Sequence, residues 1–482
     1  METRNIFQNI SPIDHRYSLS EKTLFDALAR WLSEEASIGA CVKAEIALII
    51  AHLRIREEKD LSPERRAGLY QAGESVHPAE VYAEEEKTRH NIRALVNVLK
   101  KKVPPEIAPL VHLGATSVDI LDSSLAWRMK NCCREVVLPA LWRLEKLLCD
   151  FTGQEAATFQ VGRTHGQHAV PITVGFAMAE YVSRLGKSIL EIDRLSGGLR
   201  GKLAGAVGAY NATSILVRDP EELERLYLAE LGLEASEHST QLVEPEYLLR
   251  LLVEYNTAFG IIANLADDLR NLQRTEIAEL RENFTPEQVG SSTMPQKRNP
   301  WNSEHVKSLW KAFMPRVLTF FMDQISEHQR DLSNSASQRF IADYVSGFCL
   351  AISRITGVIA SLSADREKCL ANLRRGIPGG VLAEPAYILL AKSGESAAHE
   401  IIRKVTLRAE KEGISFAAAL AAEPEILAKI GEQLAAIGAV PKTDPAGAAK
   451  IWFENPEHYC GLAVKKAREL AEKYRQLIPG PE

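Results

Sequence analysis

Apolar residues recur at intervals of three and four over most of the chain, and the stretches that keep this rhythm are longest near its middle. Between 245 and 280, Leu248, Leu252, Tyr255, Phe259, Ile262, Leu265, Leu269 and Leu272 form one stripe, with a single glycine and no internal proline. The same rhythm predicts a helix over 122–151, capped by Asp122 or Ser123 and kinked at Pro139. It predicts others over 171–195, opened by Pro171, over 301–328, kinked at Pro315, and over 339–362. Helices of roughly 25–35 residues exceed the usual length of about 12, and several together predict an elongated bundle. Phe320, Phe321, Tyr344, Phe348 and Ile355 give these helices more apolar surface than one thin bundle covers, which suits subunit packing as well as an internal core.

Shorter elements flank the long ones. Ser18 and Glu21 have the spacing of a capping box, ahead of a helix over 21–56 in which Gly39 is the only strong breaker. Pro63 and Pro78 mark loops, and a further helix is predicted over 84–102. After 365, Gly376, Pro378, Gly379, Gly380, Gly394, Gly413 and Pro424 cut the pattern into short helices. No strand-rich region or internal repeat stands out. The prediction is an all-α chain of three domains, 1–115, 116–365 and 366–482, the middle one a long-helix bundle.

Composition narrows the setting. The 482 residues are 46% hydrophobic and 25% charged, as in ordinary globular proteins, and the net charge of -5 offers no basic field for a nucleic acid. Residues 1–10 lack the apolar core of a signal peptide. The apolar run 44–53 carries Glu45 and His52 and is too short for a membrane span, so no membrane partner is expected. Seven scattered cysteines without a CxxC pair fit a reduced, cytoplasmic setting.

Three polar clusters carry candidate chemistry. The first is Gly290-Ser291-Ser292-Thr293-Met294-Pro295-Gln296-Lys297-Arg298-Asn299-Pro300, after the mostly polar stretch 281–288 and with Glu304 about one helical turn beyond it. Its glycine, serines and prolines exclude a helix interior or central strand. It reads either as a solvated connection or as a loop able to grip an anion and move a proton. The second is Arg163-Thr164-His165-Gly166-Gln167-His168. Two histidines three apart could ligate a metal, but no Glu or Cys at a familiar spacing completes a set, so no metal or other cofactor is expected. A loop imidazole also suits proton transfer. The third runs from His112 to Asp119, where Thr116 and Ser117 offer hydroxyls and N–H groups either as ordinary caps or as a carboxylate or phosphate grip. Smaller sets are Arg16-Tyr17, Arg89-His90-Asn91, and Arg330 to Arg339 with Ser335 between them. Arginine forks beside hydroxyls suit a phosphate monoester. No Walker loop, Rossmann fingerprint, GxSxG elbow or HExxH motif occurs.

In order and separation, Thr116-Ser117-Val118-Asp119, Thr164-His165 and the run from Gly290 to Asn299 with Glu304 resemble the three signature regions of the fumarase/aspartase superfamily. Within it, residues 11–17, 163–169, 205–211, 240–245 and 330–333 are similar to the branch that cleaves succinyl-purine nucleotides. Departures from that branch are His15 for glycine, Asn91 for aspartate, Gln296 for tyrosine or histidine, and no arginine over 394–400. Gln296 is the residue typical of the argininosuccinate branch.

The resemblance implies an all-α fold and a homotetramer in which three subunits build each active site. It also implies β-elimination of fumarate from adenylosuccinate and from its carboxamide-ribotide counterpart. Alternatives on the same fold are another fumarate-forming lyase or a carboxymuconate cycloisomerase. By resemblance Ser291 is the base and His165 the acid, Lys297 and Asn299 stabilise the aci-carboxylate dianion, Glu304 orients His165, and His90 positions the substrate. Thr116, Ser117 and Gln241 hold the succinyl carboxylates, while Arg16, Tyr17, Arg330, Ser335 and Arg339 hold the nucleotide, with Arg89 and Asn91 beside it.

Overall fold

The computed structural model describes residues 5–57, 60–283, 290–376 and 380–480. The expected breakers Pro378 and Gly379 and residues 284–288 of the polar stretch lie outside the described residues. The chain is all-α, with short two-stranded pairings and isolated 3-10 turns between helices. By contact it divides into two units, one of residues 1–141, 187–260 and 308–353, the other of 142–186, 261–307 and 354–482.

In the first unit the helix Glu34–Glu57 is central. It packs against Ser117–Cys132, Pro220–Glu230 and Pro63–Glu74. It is apolar on nearly all sides, and Ala44 and Ile46 to Ala51 are almost fully buried. Tyr255 stacks on Phe348 at 5.3 Å between ring centroids, and Phe320 meets Tyr344 edge-on at 5.0 Å, so these four aromatics serve the core, whereas Phe321 is exposed. In the second unit, strand β1 (Phe159–Thr164) pairs antiparallel with β2 (Gln167–Thr173), and Val161 packs on Leu373 and Val381. The helices from Ala383–Lys392 to Pro445–Phe453 close around Phe416, Ile430, Leu434 and Phe453. Gly186 lets the Tyr474 ring lie against its own helix, where a Cβ would overlap the ring.

Several predicted boundaries move, each for a local reason. The helix predicted over 21–56 is cut at Ser33, whose Oγ accepts the Ala36 N–H at 3.1 Å, and it then passes through Gly39 without a break. Ser18 and Glu21 form no capping box: Ser18 lies inside Arg16–Ser20 and its hydroxyl donates to the His15 carbonyl. The helix predicted over 84–102 is two helices, Pro78–Thr88 and Asn91–Leu99, parted by Arg89 in the left-handed region. The cap expected at Asp122 or Ser123 belongs to Thr116, which opens Ser117–Cys132 with Asp119 as the reciprocal acceptor. The kink expected at Pro139 is absorbed by a π-helical turn, Cys133–Val137, just before it. Pro171 opens no helix. It sits in β2 opposite Val161, beside a register shift, and the helix starts at Val174. The long stripe ends at Leu272, and the break at Pro315 separates Trp301–Phe313 from Arg316–Met322.

All seven cysteines are free thiols and six are buried. Burial pushes Cys132 up to about 12, which keeps it an unreactive thiol. Two helical spans, Lys22–Glu57 and Ser337–Ser361, are long and apolar enough by composition to cross a membrane, but 72% of each apolar window is buried inside the protein, as in core helices.

Candidate active site

Chain breaks, not helix interiors, place the candidate groups. In the first unit, Arg89 (φ 52°) turns the chain so that His90 becomes the N-cap of Asn91–Leu99. His90 Nδ1 accepts the Arg93 N–H at 3.3 Å, so a neutral ring carries its proton on Nε2. That Nε2 lies 3.5 Å from Ser117 Oγ. Two expected site residues therefore meet. Thr116 precedes Ser117 with its N–H donated to Asp119 Oδ2 at 2.7 Å.

Gln241 and Arg330 also meet: the guanidinium Nη1 donates to Gln241 Oε1 at 3.0 Å, and the Gln241 N–H donates to the Gln329 carbonyl at 3.3 Å. Arg16, Ser335 and Arg339 are exposed, Ser335 just before and Arg339 within the turn Ser337–Phe340. Tyr17 is half-buried in Arg16–Ser20, and Asn91 is exposed at the start of its helix.

In the second unit, His165 occupies the tip of the β1–β2 hairpin. His165 and Gly166 both have positive φ, 55° and 74°, the backbone signature of a two-residue I′ turn, and the imidazole is exposed. The hairpin is fastened one residue earlier. Arg163 donates two bonds to Glu279, at 2.9 and 2.6 Å, and Gln160 and Asn372 fill the remaining acceptor positions of that fully buried carboxylate. Burial, and then the Arg163 charge, hold His168 below the ordinary histidine value.

The loop 290–300 closes on itself, Asn299 Nδ2 donating to the Gly290 carbonyl at 3.0 Å. Inside it, the N–H groups of Met294 and Thr293 point at Ser291 Oγ, at 3.2 and 3.5 Å. Two converging donors favour a negatively charged oxygen over a neutral hydroxyl. Lys297 is exposed and its ammonium makes no ion pair among the described residues. Glu304 lies in the first turn of Trp301–Phe313, exposed, and forms no hydrogen bond with His165 among the described residues. The start of that helix is held instead by Glu282, which accepts the Ser303 N–H at 3.1 Å and its hydroxyl at 2.5 Å.

Residues 27–312 match the family model described as "Lyase", and residues 326–440 match "Adenylosuccinate lyase C-terminal". An adenylosuccinate lyase of Pyrococcus abyssi is 31% identical over 96% of each chain, and one of Pyrococcus horikoshii is 30% identical over 97% of this chain and 98% of its own. The chain belongs to the adenylosuccinate lyase family. It is accordingly a carbon–nitrogen lyase. The fold recurs in a 3-carboxy-cis,cis-muconate lactonizing enzyme of Pseudomonas putida, with a TM-score of 0.79, 23% identity, and coverage of 94% of this chain and 98% of that one. It recurs again in a fumarate lyase of Mesorhizobium, with a TM-score of 0.77, 19% identity, and coverage of 93% and 97%. At these identities the likeness is one of fold.

Buried partners of the lyase's polar segments escape a reading by motif. Glu45, fully buried, faces His112 Nδ1 at 2.7 Å. Burial lowers the His112 value, but the bond to Glu45 and the charges of Glu45 and Asp119 outweigh it and raise it overall. Glu45 carries a usable signal, a carboxylate inside an otherwise apolar run. Glu279 and Glu282 lie in no motif, and only the fold reveals them.

Proposed function

We propose that this lyase removes fumarate from adenylosuccinate to give AMP, and from succinylaminoimidazole carboxamide ribotide to give the aminoimidazole carboxamide ribotide, in purine nucleotide synthesis. The observation that carries the substrate assignment is the Gln241–Arg330 contact, which puts a carboxamide suited to a carboxylate beside a guanidinium suited to a phosphate. A substrate with both groups on one scaffold fits that pair.

The chemistry needs a base for a weakly acidic carbon proton, a cationic grip on the dianion that results, and an acid for the departing nitrogen. Ser291 is the base: its two backbone donors favour the alkoxide, and closure of the loop around substrate would exclude water and bring Lys297 close. Lys297 and Asn299 stabilise the dianion. His165, exposed on the hairpin tip, delivers the proton to nitrogen, and Glu304 orients it. His90, held by the Arg93 N–H, steers the substrate from beside Ser117. Thr116, Ser117 and Gln241 bind the succinyl carboxylates. Arg16, Tyr17, Arg330, Ser335 and Arg339 bind the nucleotide, with Arg89 and Asn91 at its edge.

The lack of a His165–Glu304 bond among the described residues supports a homotetramer in which different subunits complete each site. Residues 1–115, 116–365 and 366–482 are the proposed domains, with breaks before the Thr116 cap and at the Asp365 cap. A cytoplasmic enzyme fits the free thiols. The test is ultraviolet assay of the purified protein with adenylosuccinate, its carboxamide-ribotide counterpart and argininosuccinate. Fumarate release from the first two, falling about 10²–10⁴-fold in Ser291→Ala and His165→Gln, is expected. Release from argininosuccinate alone sinks the substrate assignment.

A further inference from the structure

The segment 202–211 carries none of the proposed chemistry, yet within the first unit it touches both elements proposed to hold the succinyl carboxylates. At one end stands a fully buried ion pair, Lys202 with Asp119. Asp119 Oδ1 also accepts the Gly205 N–H at 3.3 Å, while its Oδ2 holds the Thr116 N–H at 2.7 Å. Lys202 bonds back to the Gly205 carbonyl at 3.2 Å, and its own N–H donates to Ser123 Oγ at 3.1 Å. The start of the segment is thus fastened to the helix turn that presents Thr116 and Ser117.

At the other end is Gly208, with φ 79°. A Cβ there would overlap the Ser239 carbonyl oxygen and lie 2.9 Å from the Thr240 carbonyl oxygen. The segment therefore abuts the backbone just before Gln241. Along the segment, Glu224 accepts the Leu203 N–H and the Tyr210 hydroxyl, both at 2.6 Å, and the Tyr210 N–H folds back to donate to the Ala204 carbonyl at 2.9 Å. Bonds of this density make the segment stiff.

A buried ion pair is a poor way to gain stability, since apolar residues of the same size do as well. What it adds is direction: a charged carboxylate held by Lys202 fixes where the Thr116 N–H points. We propose that 202–208 is a spacer that sets the separation of Thr116–Ser117 from Gln241, with Lys202 and Gly208 as positioning residues for a dicarboxylate. The inference rests on the substrate reading above, in which those groups hold the two carboxylates of the succinyl unit.

The test uses the full chain with Lys202→Met and Gly208→Ala, and reads kcat and KM for adenylosuccinate, calorimetric Kd values for succinate and for AMP separately, and thermal melting. Loss of one charge-assisted bond predicts a rise of roughly tenfold in the adenylosuccinate KM and the succinate Kd. The AMP Kd stays within about twofold, and kcat falls by less than KM rises. Gly208→Ala leaves all charges in place and carries the test if Lys202→Met does not fold. Unchanged succinate affinity in folded Gly208→Ala overturns the spacer, and so does a parallel loss of succinate and AMP affinity that follows the melting temperature. A wild-type protein that binds succinate and AMP but cleaves no adenylosuccinate overturns the substrate reading instead, while the two variants still report on the spacer through succinate binding.

Discussion

Ser291 and His112 illustrate how much a single side chain owes to groups that its own sequence neighbours do not announce. Ser291 takes its donors from the backbone of the turn that follows it. His112 takes Glu45 from a helix 67 positions earlier in the chain. The second oxygen of that carboxylate, Oε2, is buried without a partner among the described residues, so His112 is its main compensation. Replacing His112 with Asn strands the carboxylate, and a destabilisation of about 1–3 kcal/mol is expected near pH 6. The sign of its pH dependence follows from the raised value. His112 titrates above its ordinary 6.5 in the folded chain, so its contribution is complete below 6.5 and fades as pH climbs through the folded value. Urea midpoints of wild type and His112→Asn should therefore converge between pH 6 and pH 9. A gap that stays constant over that range would show that the pair does not act through the imidazolium.

The β1–β2 hairpin shows the same dependence for an element. A His-Gly pair between Thr164 and Gln167 suits a two-residue turn, but the Pro171 helix-start signal points the other way. The proline is tolerated in β2 because the ribbon has only two strands, so its missing N–H breaks no central ladder. At Gly166 the φ of 74° is costly for any residue with a Cβ, although no atom stands within 4 Å of where that Cβ would be. Gly166→Ala is therefore expected to lose about 1–2 kcal/mol from backbone strain alone. Because Arg163 and Glu279 hold the hairpin base, the fold should persist while the tip shifts. A shift at His165 of even a fraction of an ångström is expected to lower kcat roughly tenfold or more. Gly166→Asn, which tolerates the left-handed region, should keep most of the activity. Wild-type turnover in the alanine variant would mean that the tip geometry does not matter. Helix stripes were legible because periodicity is a local property. The break at Ser33 was not, because Leu32, Glu34 and Glu35 beside it are strong helix formers, while at Arg89 the weak formers Thr88, His90 and Asn91 left a local signal that the surrounding periodicity masked.

For the molecule as a whole, the sequence conveyed an all-α architecture and the residues of each polar cluster, and the structure adds which of these meet inside one chain. His90 meets Ser117 and Gln241 meets Arg330, whereas His165 and Glu304 form no hydrogen bond with each other among the described residues. The proposed tetramer, in which copies of the chain complete each site, makes a prediction that can be counted. If His165 and Ser291 of a site come from different subunits, equal mixing of Ser291→Ala and His165→Ala chains has a calculable result. Each intact position is supplied with probability one half, so about a quarter of the sites (one half times one half) hold both groups and recover activity. If both groups came from the same subunit, every site would lack one of them, and the mixture would stay as inactive as either variant. The measurement is fumarate release after the two variants are unfolded and refolded together, with differently tagged chains recovered in one complex to prove that mixing occurred. Recovery near a quarter of wild-type turnover supports shared sites. No recovery in complexes shown to be mixed would place the acid and the base on one chain, and would leave any His165–Glu304 bond to be made by movement within it.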